Sequence, residues 1–187
     1  HSPEGNISLS IAFADREFDV PISIATGILV KDALTEVFNL DSIKLKWPND
    51  LVFEKKKIGG ILVEKEVFSN YTKAIVGIGI NLELDKKESW WGDFGDLNGK
   101  NLRDKIINKI LVKFEALFRN GLNDWKNLWN ESCIHNDAII SVARNDEIIK
   151  GKYLGINDSG ELLLEKEIGE IISFSSAEVS IKGIYNK

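Results

Sequence analysis

Three observations predict an α+β fold for this 187-residue chain. Apolar residues alternate, or run in short blocks, near the start and end of the chain, and they recur at helical spacing between those regions. Two of the apolar blocks are interrupted by paired or alternating glycines. Near Asn136 the helical pattern gives way to short strands separated by turn residues. The expected architecture is a mixed or antiparallel sheet with helices on one face over residues 1–135, followed by a small β-barrel over residues 136–187.

Each element has its own signal. Ile7 to Phe13 reads as a strand that Asp15-Arg16-Glu17 breaks. After Pro21 and Ser23, the residues Ile24, Ile28, Ala33 and Val37 recur at helical spacing, with Leu34 and Phe38 beside them. Ile43–Trp47 and Leu51–Phe53 read as strands. The basic turn Glu54-Lys55-Lys56-Lys57 then leads into an apolar strand over Ile58–Val63. Ala74–Leu82 is another buried strand. Glu83–Gly99 is polar and reads as a long loop, of the kind that is usually functional or disordered. Asn101–Phe118 is an amphipathic helix offering Ile106, Ile110, Val112, Phe114 and Leu117 to a core, and Leu122–Trp129 is a shorter one. Strands follow at Ala138–Ala143, Glu147–Ile156, Leu162–Glu165 and Glu170–Phe174, with turns at Arg144-Asn145-Asp146 and Asn157–Gly160.

Composition narrows the function. A hydrophobic fraction of 43% supports one sizeable core with a small satellite. A net charge of -5 gives no overall electrostatic footprint for nucleic acid. No apolar run is long enough to span a membrane and no secretory signal is visible. The single Cys133 cannot form an internal disulfide, which fits a reducing, cytoplasmic setting. The chain begins at His1 and has no methionine, so further sequence is expected upstream.

The chemistry concentrates in three segments. In Lys46-Trp47-Pro48-Asn49-Asp50, proline ends a strand because it cannot donate to a ladder, and Asn49 and Asp50 emerge at the edge. Alone this is a turn; as a site, Asn49 and Asp50 could bind a ligand or a magnesium ion. In Lys57-Ile58-Gly59-Gly60-Ile61-Leu62-Val63-Glu64, a lysine stands before a strand with two adjacent glycines. Glycine weakens a strand unless a backbone or ligand must come close. Gly77-Ile78-Gly79-Ile80-Asn81 repeats the theme, with alternate glycines clearing one face. It lacks the strand–turn–helix context of a dinucleotide fingerprint. There is no P-loop, metal-ligand cluster or Ser-His-Asp arrangement, and His1 and His135 lie away from the motifs.

In order and spacing these three segments resemble the biotin–protein ligase family, also called biotin–[acetyl-CoA-carboxylase] ligases. Ser2-Pro3-Glu4-Gly5-Asn6 with Leu9-Ser10 is similar to the family's strand after its nucleotide-binding loop. Gly155-Ile156-Asn157 and Gly160-Glu161-Leu162-Leu163-Leu164-Glu165 are similar to its C-terminal SH3-like domain. The resemblance implies a class II synthetase-like core and a two-step reaction. Biotin and ATP, carried with Mg2+, form biotinyl-5′-adenylate. A lysine of the biotin carboxyl carrier protein of acetyl-CoA carboxylase then takes the biotin. It also implies roles: Lys57 as the catalytic cation at biotin's carboxylate and the α-phosphate, and Gly60, Ile61, Gly77 and Gly79 at biotin. Lys46, Asn49, Asp50, Asn81, Trp90 and Trp91 would serve the nucleotide, and no residue is assigned as a direct metal ligand. The family's Gly-Arg-Gly-Arg loop, with the serine, threonine and glutamine that hold biotin's ureido ring, is expected upstream of His1. A lipoate ligase is the alternative enzyme, and an upstream helix-turn-helix would make the whole protein a ligase and repressor. Whether two copies form a homodimer is left open.

Overall fold

The computed structural model describes residues 5–14, 18–69, 71–85, 88–144, 147–175 and 179–182. Residues 1–4, the break at 15–17 and the turn residues 145–146 lie outside them. Strict alternation makes β1 (Ile7–Ala14) a two-faced strand, with Ile7 buried and Ser8, Ser10 and Ala12 exposed. It pairs antiparallel with β5 (Thr72–Ile80), which pairs with β4 (Lys56–Val67), then β3 (Asp50–Phe53) and β2 (Lys44–Lys46). Every ladder of this five-stranded sheet is antiparallel, so the mixed option is not used.

Helix α1 (Ile22–Phe38) packs on one face of the sheet and also meets α2 (Arg103–Asn120) and α3 (Trp125–Ser132). Being covered from several sides, it buries Ala25, Thr26, Ile28, Leu29 and Val30 in near succession instead of a single stripe. α2 keeps the stripe, burying Ile106, Ile110, Phe114 and Leu117. Val112, expected in the core, is 60% exposed because it falls on the opposite side of the helix. α3 starts three residues later than expected, after Asp124 in the left-handed region (φ 54°).

The last part of the chain is a second antiparallel sheet in the order β10-β6-β7-β8-β9. Its strands are β6 (Ile139–Arg144), β7 (Glu147–Ile156), β8 (Leu162–Glu165), β9 (Ile171–Phe174) and β10 (Val179–Lys182). The closed barrel expected here does not form among the described residues: β9 and β10 lie at opposite edges and share no ladder. β10 was not expected at all.

The two sheets meet through Trp129, whose indole N–H donates to the Tyr153 hydroxyl at 2.9 Å, and through Trp47, whose indole N–H donates to the Gly160 carbonyl at 3.0 Å. The segment after α3 also runs along β2, where Ile134 N–H donates to the Leu45 carbonyl at 2.8 Å. No helix among the described residues is long and apolar enough to cross a membrane.

Candidate active site

The sheet face turned away from the helices carries a band nearly without side chains. Across the strands, Ser8 pairs with Gly79, Gly79 with Gly60, Gly60 with Asp50 and Asp50 with Lys46. In the next row Ser10 pairs with Gly77 and Gly77 with Leu62. These rows floor a cleft of about 320 Å³ that also reaches Asn49, a volume in the range of small-molecule sites. A Cβ at Gly79 would meet nothing closer than the Gly60 carbonyl at 3.9 Å, and one at Gly77 only Leu62 at 3.8 Å. Gly60 faces Lys57, whose Nζ would lie 3.6 Å from a Cβ there. Gly60, Gly77 and Gly79 therefore come together as an open floor.

Gly59 does something else. A Cβ at Gly59 would sit 2.3 Å from the Gly79 carbonyl, so its role is to let β4 and β5 approach on the helix side. Ile61 is only 3% exposed and belongs to the hydrophobic core, as strand alternation from Gly60 requires. Ile61 nonetheless borders the cleft, though its side chain is not open to it. Its backbone instead exchanges two bonds with Asn49: Ile61 N–H to the Asn49 carbonyl at 2.9 Å, and Asn49 Nδ2 to the Ile61 carbonyl at 2.8 Å.

Lys57 is the second residue of β4, not the last of a turn, because the hairpin turn is only Glu54-Lys55, both at positive φ (50° and 60°). Counting back from Gly60 in regular alternation would send Lys57 toward the core. A β-bulge prevents this: Leu51 pairs with Gly59 but Val52 pairs with Lys57, leaving Ile58 as the extra residue. Lys57 thereby lands on the face of Asp50, and its Nζ lies 2.5 Å from Asp50 Oδ1. The other oxygen, Oδ2, is 3.8 Å from Lys46 Nζ. Two ammonium groups around one carboxylate give this corner a net positive charge beside the bare floor. The Lys57 side chain remains 32% exposed, against 12% for Asp50. An ammonium has three donors, so pairing with Asp50 leaves others to direct at a ligand.

The segment after β5 is the expected loop, and its described residues are anchored at Lys57. Lys57 N–H donates to the Trp90 carbonyl at 2.9 Å and Gly92 N–H to the Lys57 carbonyl at 2.8 Å, so residues 90–92 run beside Lys57 like a short strand. Asn81 Nδ2 donates to the Gly92 carbonyl at 3.1 Å, and Asp93 accepts from Leu84 N–H at 2.8 Å. Trp90 and Trp91 meet edge to face at 5.3 Å, with Trp91 36% exposed. Asn81, Trp90 and Trp91 thus gather at Lys57, and the Asn81 side chain holds that segment.

Ser8, Ser10 and Leu62 line the cleft although the sequence reading gives them no site role. The signal was present: Ser-x-Ser on one strand faces Gly-x-Gly on its partner, and only the register shows it. His135 stays apart, 1% exposed, with its pKa lowered to about 4 by burial and then by the positive charge of Lys46. No group of three or more His, Cys, Asp or Glu residues suited to a metal occurs among the described residues.

Residues 1–81 match the Biotin/lipoate A/B protein ligase family, and residues 139–182 match the Biotin protein ligase C terminal domain. The chain is similar to the bifunctional ligase/repressor BirA of Salmonella typhimurium, with 27% identity over 87% of this chain and 53% of the relative. It is 28% identical to BirA of Bacillus spizizenii over 97% of this chain and 60% of the relative. It therefore spans between half and two thirds of these relatives. Among solved structures it is similar to apo biotin protein ligase of Aquifex aeolicus, with a TM-score of 0.74 and 25% identity over 96% of this chain and 83% of that one. The Aquifex aeolicus ligase in complex with biotin and ATP matches with a TM-score of 0.69 and 24% identity, over 94% and 78%.

Proposed function

Because this chain belongs to the biotin protein ligase family, we propose that it activates biotin with ATP and passes it to a lysine of a biotin carboxyl carrier domain, that of acetyl-CoA carboxylase. A biotin carboxylate oxygen bonds to the α-phosphorus as the bond to the β-phosphate oxygen breaks, giving biotinyl-5′-adenylate and pyrophosphate. The carrier's ε-amine then attacks the acyl carbon, AMP leaves, and the amine gives up a proton. Neither step needs a covalent enzyme intermediate, so the protein contributes position and charge.

The observation that carries this reading is the placement of Lys57 over Gly60, at the end of a floor cleared by Gly77 and Gly79. Biotin lies on the glycine floor with its carboxylate toward Lys57. The donors of Lys57 not taken by Asp50 reach that carboxylate and the α-phosphate, stabilising charge as the phosphoryl group transfers. Lys46, Asn49 and Asp50 serve the nucleotide side, with Mg2+ arriving bound to ATP. Asn81, Trp90 and Trp91 stand where the adenosine would be covered. The match of residues 139–182 to the Biotin protein ligase C terminal domain favours biotin over lipoate.

The test is biotin-dependent exchange of pyrophosphate into ATP by the full-length protein. Replacing Lys57 by Ala removes two charge-assisted contacts and slows exchange by about 10²- to 10⁴-fold, while the thermal midpoint stays near that of the parent. Exchange near the parental rate in K57A excludes the role given to Lys57.

A further inference from the structure

We infer that Trp47, Gly160 and Asn157 are positioning residues for Asn49 and Asp50, tying the Lys46–Asp50 corner to one turn of the second sheet. The inference rests on the ligase reading for its kinetic consequence, though not for its geometry. Trp47 follows β2 directly, is 1% exposed, and donates its indole N–H to a carbonyl 113 residues away. Any large apolar ring could fill a buried position. A donor aimed at one carbonyl also fixes which way the ring lies, and through it the backbone of the next three residues.

The acceptor is held as firmly as the donor. Gly160 sits at φ 76°, and a Cβ there would lie 3.1–3.2 Å from Pro21 and Ile24, so this turn is wedged against the start of α1. Asn157 ties the turn together. Its Oδ1 accepts from Ser159 N–H and Glu161 N–H, both at 3.0 Å, and its Nδ2 donates to Glu161 at 2.8 Å. Its carbonyl accepts from Gly160 N–H at 2.9 Å.

Beyond Trp47, the far end of the same short turn is fixed by the paired bonds between Asn49 and Ile61. The stretch from Trp47 to Asn49 is thus strung between the second sheet and β4, and Asp50, which holds Lys57, is the next residue. The Gly-Ile-Asn and Gly-Glu segments near residues 155–161, buried or half-buried, gain a purpose beyond the packing of their own sheet. They are the far anchor of the Lys46–Asp50 corner.

Two variants test this in the full-length protein: Trp47→Phe, which keeps a ring and removes the donor, and Asn157→Ala, which loosens the turn from well outside the cleft. In both, backbone amides from Trp47 to Leu51 exchange with deuterium about threefold to tenfold faster without any ligand, the range expected for one neutral hydrogen bond. The KM for ATP rises by a similar factor. The Kd for biotin alone rises by less than the KM for ATP, because the glycine floor on β4 and β5 stays in place and only the contact through Lys57 is loosened. Unchanged exchange at 47–51 in Asn157→Ala overturns the inference even if Trp47→Phe fails to fold. Equal losses in biotin and ATP affinity overturn it too, since they mark general loosening. If the parent protein shows no biotin-dependent pyrophosphate exchange while the amides respond as stated, the ligase reading falls and the tether stands.

Discussion

Gly59 and Gly60 are neighbours in the chain with opposite tasks. Alanine at Gly59 drives a Cβ to within 2.3 Å of the Gly79 carbonyl and forces β4 and β5 apart. Overpacking of this kind costs about 1–3 kcal/mol, so Gly59→Ala lowers the urea midpoint. Gly79→Ala meets nothing within 3.8 Å. It keeps its stability and weakens biotin binding about tenfold or more by filling the floor, as calorimetry would show. The opposite pattern, stability lost in Gly79→Ala and kept in Gly59→Ala, contradicts the assignment of faces. From sequence, the paired glycines signalled a close approach at this place, correctly. They could not say which glycine answered to the neighbouring strand and which to a ligand, because that depends on register. Asn49 was likewise marked as a site residue, but its double bond to Ile61 needs the fold to be seen.

At the level of elements, the sheet strands and the three helices were readable from periodicity, and the exceptions have physical causes. The run Lys57-Ile58-Gly59-Gly60-Ile61 has no alternation to follow, so the bulge at Ile58 and the reversal it imposes on Lys57 were hidden. The turn was placed too long for a related reason. Glu54 and Lys55 both adopt positive φ, a conformation that turn sequences usually reach with asparagine and glycine. Each such residue costs about 1–2 kcal/mol in that region. Replacing Glu54-Lys55 by Asn-Gly therefore stabilises the protein by about 1 kcal/mol or more. This raises the thermal midpoint by about 2–4 °C for a chain of this size and leaves the adenylation rate unchanged. A lower midpoint means that the turn is not the strained two-residue form. The segment over 83–99 is a loop, as expected, but its described residues are tied down by Asn6, Asn81 and Asp93, whose partners lie 77, 11 and 9 residues away, and no local pattern reveals those bonds.

For the whole molecule, the junction of the two sheets is built from Trp129, Cys133, His135 and Tyr153 packed behind β2. Burial pushes the Cys133 thiol and the Tyr153 hydroxyl up and holds His135 down at about 4, with Nε2 lacking a hydrogen-bond partner among the described residues. The unfolded histidine titrates near 6.5. Below that pH the unfolded chain gains a proton that the folded chain refuses. The stability from a neutral His135 is thus complete above pH 6.5 and declines as pH falls toward 4. Linkage puts the loss at about 2 kcal/mol by pH 5. Urea unfolding at pH 7 and pH 5 should show that difference, and His135→Gln should remove most of it; an unchanged difference would relocate the titrating group. The second sheet itself was legible as short strands with turns, whereas its failure to close and its last strand were not. One consequence concerns how such a protein can be divided. The stretch after α3 lies along the outer border of β2, where Ile134 bonds to Leu45. The linker between the sheets thus doubles as a guard rail for the first. Cutting the chain there would leave not two tidy modules but one with a bare strand edge, the kind of surface on which aggregates begin.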